Sequence, residues 1–245
     1  MQDVKNTEDF KVRFQGDTAI LVEFDGGMKP ALIQRIHAID AAINDQKLVG
    51  VIETVPTYCT ITLHIDPLVA DIAAIDAMVR NVASKAHALN FLGRVWEVPV
   101  AYGGDFGCDL EEVASLADLS PSACIEMHVA AEYTVAMVGY LPGFSYLSGL
   151  SPRLATPRLA EPRARIPASS ISIGGQQMAI GSLEGPSGWH LIGRTPVRPF
   201  QPGRNPEFLF EPGDQIRFRP ISETEWVDQN QRAASGALVA ELLQT

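Results

Sequence analysis

From Thr134 onward, short apolar runs alternate with proline and glycine turns, the texture of a closed β barrel. The last run, Gln215 to Arg219, follows a Gly213-Asp214 turn and alternates Ile216 and Phe218 with polar neighbours. An earlier strand is expected from Arg94 to Val98, ending at Pro99. A Tyr102-Gly103-Gly104-Asp105-Phe106-Gly107 loop then leads to two helices. These are Leu110 to Leu116 and, after the start signal Ser120-Pro121, Ser122 to Tyr133.

The first ninety residues follow a different pattern. Phe10 to Phe14 and Ala19 to Phe24 read as strands joined at Gly16-Asp17. Pro30 opens a helix with Leu32, Ile33, Ile36, Ile39, Ala42 and Ile43 on one stripe. Val49 to Val55 and Thr60 to Ile65 repeat the strand pair. A second amphipathic helix follows, carrying Ile72, Ile75, Met78, Val79, Val82 and Ala86. A strand-strand-helix unit used twice makes a two-layer sandwich of helices on one sheet. The fold class is therefore α+β, with a small two-layer α/β domain over 1–92 and a barrel domain over 93–220. The tail, 221–245, is acidic at first and then apolar at Leu238, Val239, Leu242 and Leu243. It is expected to be a docking helix, held by the first domain or by a partner chain, or else a frayed end.

Charge narrows the partners. A net charge of −10 argues against nucleic acid, which needs clustered cations. All lysines precede Lys85 or stand at it, whereas Ser151 to Pro220 holds nine arginines against five acidic residues. Arginine's planar fork suits carboxylates and phosphates, although most surface arginines are simply solvated or paired. No run of apolar residues is long enough to span a membrane, and the polar, acidic start is no secretory leader. Cys59, Cys108 and Cys124 form no C-x-x-C pair and read as reduced thiols of a cytoplasmic protein.

Two stretches carry the chemistry. Tyr140-Leu141-Pro142-Gly143-Phe144-Ser145-Tyr146-Leu147 crowds three aromatic rings around a Pro-Gly corner, which either plugs a core or walls a pocket. Ile173-Gly174-Gly175-Gln176-Gln177 brings backbone and side-chain amides together. No Gly-Lys pair exists, so a Walker-type phosphate loop is excluded, and Gly103 to Gly107 reads as a turn. Ser145, in G-F-S-Y-L, lacks nucleophile-elbow spacing. The five histidines show no metal-ligand spacing. His128 is the candidate proton carrier, with Glu132 at i,i+4 to orient it; the alternative is a core histidine satisfied by a neighbour. Trp189, after Gly185-Pro186-Ser187-Gly188, reads as a barrel plug rather than a stacking surface.

Val100-Ala101-Tyr102-Gly103-Gly104, Gly139 to Leu147, Thr156-Pro157-Arg158, Ala160 to Arg163, Ile173-Gly174-Gly175 and Gly188-Trp189-His190-Leu191-Ile192-Gly193-Arg194-Thr195 together resemble one family. It is the 5-oxoprolinase B-subunit family, also called allophanate hydrolase subunit 1, which includes the Kip-type inhibitor of a sporulation histidine kinase. The resemblance implies a cyclophilin-like barrel and partnership with the C and A subunits of that enzyme. It also implies ATP at the level of the complex, a small amide or lactam substrate, and a chain inactive alone. Under it, Arg158 and Arg163 would hold a carboxylate or phosphate, Gln177 would bond the amide, and Phe144 and Tyr146 would wall the site. The family pattern G-G-x-Q-T-G-[IV]-Y-P departs here at Met178-Ala179-Ile180-Gly181-Ser182, which loses a hydroxyl and a phenol from the set. Three further readings stay open: a kinase inhibitor, the carboxyltransferase part of a biotin-dependent urea-type carboxylase, and a prolyl isomerase by analogy of fold.

Overall fold

Two sequence signals set the first unit: Pro30, and the alternation of apolar residues along its central strands. Proline presets φ at a helix's first position, where its missing N–H costs nothing. It opens α1 (Pro30–Asp45). The structure, a computed structural model, describes residues 9–85 and 93–244. It divides into two compact units, Met1–Leu92 and Gly93–Thr245.

In the first unit, β1 (Phe10–Phe14), β2 (Ala19–Phe24), β3 (Val51–Pro56) and β4 (Thr60–Ile65) form an antiparallel sheet in the order β1-β2-β4-β3. Ile61, Leu63 and Ile65 of β4 are buried, while their neighbours are only partly so, as a half-buried strand requires. Ile36, Ile39 and Ile43 of α1 pack over that face with Ile75, Val79 and Val82 of α2 (Ile72–Lys85). Ala86, assigned from sequence to the stripe of α2, lies outside the described residues.

The second unit is a closed barrel. Its strands are β5 (Val95–Tyr102), β6 (Tyr133–Val138), β7 (Ser145–Ser148), β9 (Ser170–Gly174), β10 (Gln177–Ile180), β12 (His190–Arg194) and β13 (Gln215–Pro220). They run in the order β12-β9-β10-β7-β6-β13-β5, and β12 pairs back onto β5 at Tyr102 and Ala101 to close the ring. Closure at Ala101 and Tyr102 leaves only the first half of β5 open on that side. Val98, Val135, Leu147, Ile171, Ile173, Met178, Ile180, Ile192 and Ile216 fill the interior. A separate ribbon pairs β8 (Arg163–Ile166) with β11 (Gly185–Ser187). Buried Asp214 ties β13 to β5. It accepts from Arg94 at 2.9 and 2.6 Å, from Trp96 Nε1 at 3.2 Å and from the Glu211 N–H at 2.9 Å.

Two helices follow β5: α3 (Leu110–Leu116) and α4 (Pro121–Val129), the latter capped by Ser120 Oγ on the Ala123 N–H. The sequence extends α4 to Tyr133, but it stops at Val129 and Tyr133 begins β6. The buried Tyr133 hydroxyl donates to the His128 carbonyl at 3.0 Å, meeting one acceptor the helix end leaves free. Glu132 therefore does not share a helix face with His128; it pairs with Arg217 instead.

The tail's helix lies ahead of its apolar run. Ser222 caps α5 (Glu223–Ala234), and Gly236, at φ +93°, follows its end. The apolar run beyond contributes no helix. It leads into β14 (Glu241–Gln244), which pairs with the first half of β5, below the stretch that β12 occupies. The helix docks on its own barrel through Trp226, whose ring lies 5.0 Å from Phe106 and 5.0 Å from the Arg194 guanidinium.

Candidate functional site

The Pro-Gly corner forms a tight turn in which the Phe144 N–H reaches the Leu141 carbonyl at 3.0 Å. Proline at the second position and glycine at the third, with φ +74°, are what a type II turn demands. Gly143 is needed for space as well. A Cβ there would stand 2.7 Å from Phe200 Cβ. Tyr140 also takes positive φ, at 71°, and its hydroxyl donates to the Pro186 carbonyl at 2.9 Å.

This turn holds one wall of a cleft of about 200 Å³ lined by Tyr140, Phe144, Tyr146, Arg158, Pro186, Ser187, Gly188 and Trp189. The rings interlock: Tyr140 meets Phe144 edge to face at 5.4 Å, Phe144 lies tilted on Tyr146 at 4.8 Å, and Tyr146 meets Trp189 edge to face at 5.9 Å. Beneath them Ala179 of β10 packs with Phe144 and Trp189. Gly174, the last residue of β9, lets the indole lie against the strand, because a Cβ would meet the ring at 2.5 Å.

The Arg158 guanidinium sits 5.6 Å over the Trp189 ring. Among the described residues no carboxylate pairs with it, so its charge faces the cleft. Burial pushes the Tyr146 phenol above its ordinary pKa, and the nearby Arg158 charge partly offsets that rise. The arrangement suits a flat, compact ligand with one anionic group: apolar faces for the ring, a planar cation for the charge.

Phe144, Tyr146 and Arg158 thus come together as the sequence suggests. Trp189, read there as a plug, forms the cleft's remaining wall. Three other candidates lie elsewhere. Arg163 grips Asp109 through two hydrogen bonds, at 2.8 and 2.6 Å, and Asp109 also accepts the Leu191 N–H at 2.7 Å. Burial alone would raise the Asp109 carboxyl; Arg163 and that N–H outweigh it and hold the pKa below the usual range. Arg163 is a structural ion pair in place of the expected ligand clamp. Gln177 starts β10 opposite Gly174 and is not among the residues that line the cleft.

His128 is wholly enclosed. Its Nδ1 lies 2.8 Å from the Tyr102 hydroxyl, and its ring packs on Phe218 at 4.7 Å and Tyr133 at 5.3 Å. Burial drives its pKa down to about 3, so it is neutral and out of a ligand's reach. The proton-carrier expectation gives way to the core-histidine alternative. Asp109, Glu112 and His190 bring ligand atoms within 4.8 Å of one another. Both Asp109 oxygens already bind Arg163, however, and His190 Nε2 lies 3.0 Å from the Pro157 carbonyl. The departure from the family pattern falls on three surroundings: Met178 and Ile180 fill the barrel, Ala179 floors the cleft, and Ser182 lines a neighbouring pocket.

Residues 10–210 match the family model described as carboxyltransferase domain, subdomain C and D. The chain is 36% identical to the B subunit of 5-oxoprolinase from Bacillus subtilis (strain 168), over 88% of this chain and 96% of that protein. Among solved structures, TTHA0988 is 31% identical with a TM-score of 0.74, over 86% of this chain but only 40% of that longer one. Urea carboxylase of Kluyveromyces lactis is 20% identical with a TM-score of 0.80, over 96% of this chain and 24% of that one, a likeness of fold alone. With most of its length matched on both measures, the chain belongs to the 5-oxoprolinase B-subunit family, built on the carboxyltransferase domain of subdomains C and D.

Proposed function

We propose that this chain is a non-autonomous component of a cytoplasmic, ATP-dependent enzyme that opens 5-oxoproline to glutamate, acting with C and A subunits. The observation that carries the reading is Arg158, unpaired among the described residues and poised over Trp189 in an aromatic cleft. 5-Oxoproline is a flat lactam ring with apolar methylenes and one carboxylate. Its carboxylate meets Arg158 and its ring lies among Phe144, Tyr146 and Trp189. The kinship with the B subunit of 5-oxoprolinase supports the choice of substrate.

The cleft is lined by no thiol, carboxylate or imidazole, and its one aliphatic hydroxyl, on Ser187, accepts the Trp189 N–H at 3.1 Å. It binds and orients; groups that activate water come from elsewhere in the assembly. ATP likewise enters at the level of the complex, since Arg158 is the only cation among the lining residues and the sequence has no phosphate loop. The overall reaction consumes 5-oxoproline, ATP and water and yields glutamate, ADP and phosphate.

Co-expression with candidate C and A subunits, followed by ATP turnover across lactams and ureas, tests this. The expected result is 5-oxoproline-dependent turnover by the assembly and none by the chain alone. Turnover by the isolated chain that survives repeated purification contradicts the non-autonomous reading, and biotin-dependent turnover of urea favours a carboxylase.

A further inference from the structure

A second pocket, of about 240 Å³, opens beyond the end of β10, and Phe200, which packs against Gly143 of the aromatic turn, forms part of its wall. Its lining includes Arg194 and Arg198, together with Ser169, Ser182, Gln201 and Asn230, and not one carboxylate. Two arginines in one concave site that no carboxylate lines make it attractive to an anion.

Each arginine is available. Arg194 is steered from two sides: its Nη2 donates to the Ala168 carbonyl at 3.3 Å and its guanidinium lies 5.0 Å over Trp226. Its Nε is buried and has no hydrogen-bond partner among the described residues. Burial lowers its pKa, against a weaker opposing effect from Glu184, whose own ion pair is with Arg165. The Arg198 guanidinium has no hydrogen bond or ion pair among the described residues.

The neighbouring groups are equally unsatisfied. Ser182 is only 4% exposed, yet among the described residues its hydroxyl has no hydrogen-bond partner, and neither has the buried side-chain oxygen of Gln201, an acceptor. Buried polar atoms are nearly always paired, so two orphaned donors, Arg194 Nε and the Ser182 hydroxyl, beside Arg198 mark a ligand's place. We infer that this pocket binds a small oxyanion, a phosphate or a carboxylate, between Arg194 and Arg198, with the Ser182 hydroxyl as a further donor. Arg194 is held by Trp226 of α5, so the tail helix completes the site.

The test is calorimetric titration of the full chain with inorganic phosphate and, separately, with malonate, at low ionic strength. Saturable binding of at least one probe is expected, weakened at least about tenfold in Arg198→Gln and unchanged in Arg217→Gln, whose ion pair is with Glu132. The probe that binds tighter assigns the ligand as phosphoryl or carboxyl. Arg194→Gln is expected to weaken binding as well; if losing its contact with Trp226 unfolds that variant, Arg198→Gln, whose guanidinium anchors nothing, still decides. Absence of saturable binding by either probe, or binding that survives Arg198→Gln, overturns the inference.

Discussion

Arg163 meets Asp109 through two hydrogen bonds, 2.8 and 2.6 Å long, across 54 residues of sequence. The pair fastens β8 to the chain just before α3, and the same carboxylate receives the Leu191 N–H of β12. Removing the cation leaves a buried carboxylate short of partners, at roughly 1–3 kcal/mol. Arg163→Ala should therefore lower the denaturation midpoint of the isolated chain. Unchanged unfolding would return Arg163 to the ligand-facing groups.

His128 supplies a pH dependence. Its folded pKa, about 3, lies below the ordinary histidine value, so the unfolded chain binds the proton more readily. Its contribution to stability is present at neutral pH and is lost as pH falls from about 6.5 toward 3, by at most about 1.4 kcal/mol per pH unit. In His128→Phe the slope of unfolding free energy between pH 6.5 and 4.5 should flatten. An unaltered slope would show that histidine ionisation is not what acid exploits here.

Much of this is legible from residue order. The alternation in β4 and the spacing in α1 depend on local period, which a sequence displays directly. The aromatic turn is legible too, because Pro142-Gly143 sets the backbone and its rings are neighbours in the chain. Arg163 and Arg158 cannot be told apart in sequence: what separates them is Asp109, far off along the chain, and nothing near Asp109 marks it as a partner. Trp189 reads as a plug because its role depends on Gly174, in another strand, leaving room for the indole. The end of the tail misleads for a similar reason. Ala237 to Leu243 is apolar enough for a docking helix, but the free first half of β5 offers strand pairing instead.

Gly174 gives the cleft a steric test. A methyl group there would stand 2.5 Å from the indole, so Gly174→Ala should displace Trp189 while the barrel stays closed. Tryptophan fluorescence should shift and binding of 5-oxoproline to the assembled complex should weaken, with far-ultraviolet circular dichroism retained. Wild-type binding and emission would mean that the indole's position is immaterial to the site.

In the proposed site Arg158, and not Arg163, holds the substrate's carboxylate. Steady-state kinetics of 5-oxoproline-dependent ATP turnover, measured in the reconstituted complex with Arg158→Ala beside Arg163→Ala, address it most directly. A lost charge-assisted contact at a bound carboxylate costs about 2–5 kcal/mol. In Arg158→Ala, kcat/KM is expected to fall by at least about thirtyfold, with assembly of the complex intact. Arg163→Ala should instead lower thermal stability and keep near-normal kcat/KM below its melting range. Normal kcat/KM in Arg158→Ala, or a larger kinetic loss in a stably folded Arg163→Ala, would contradict it.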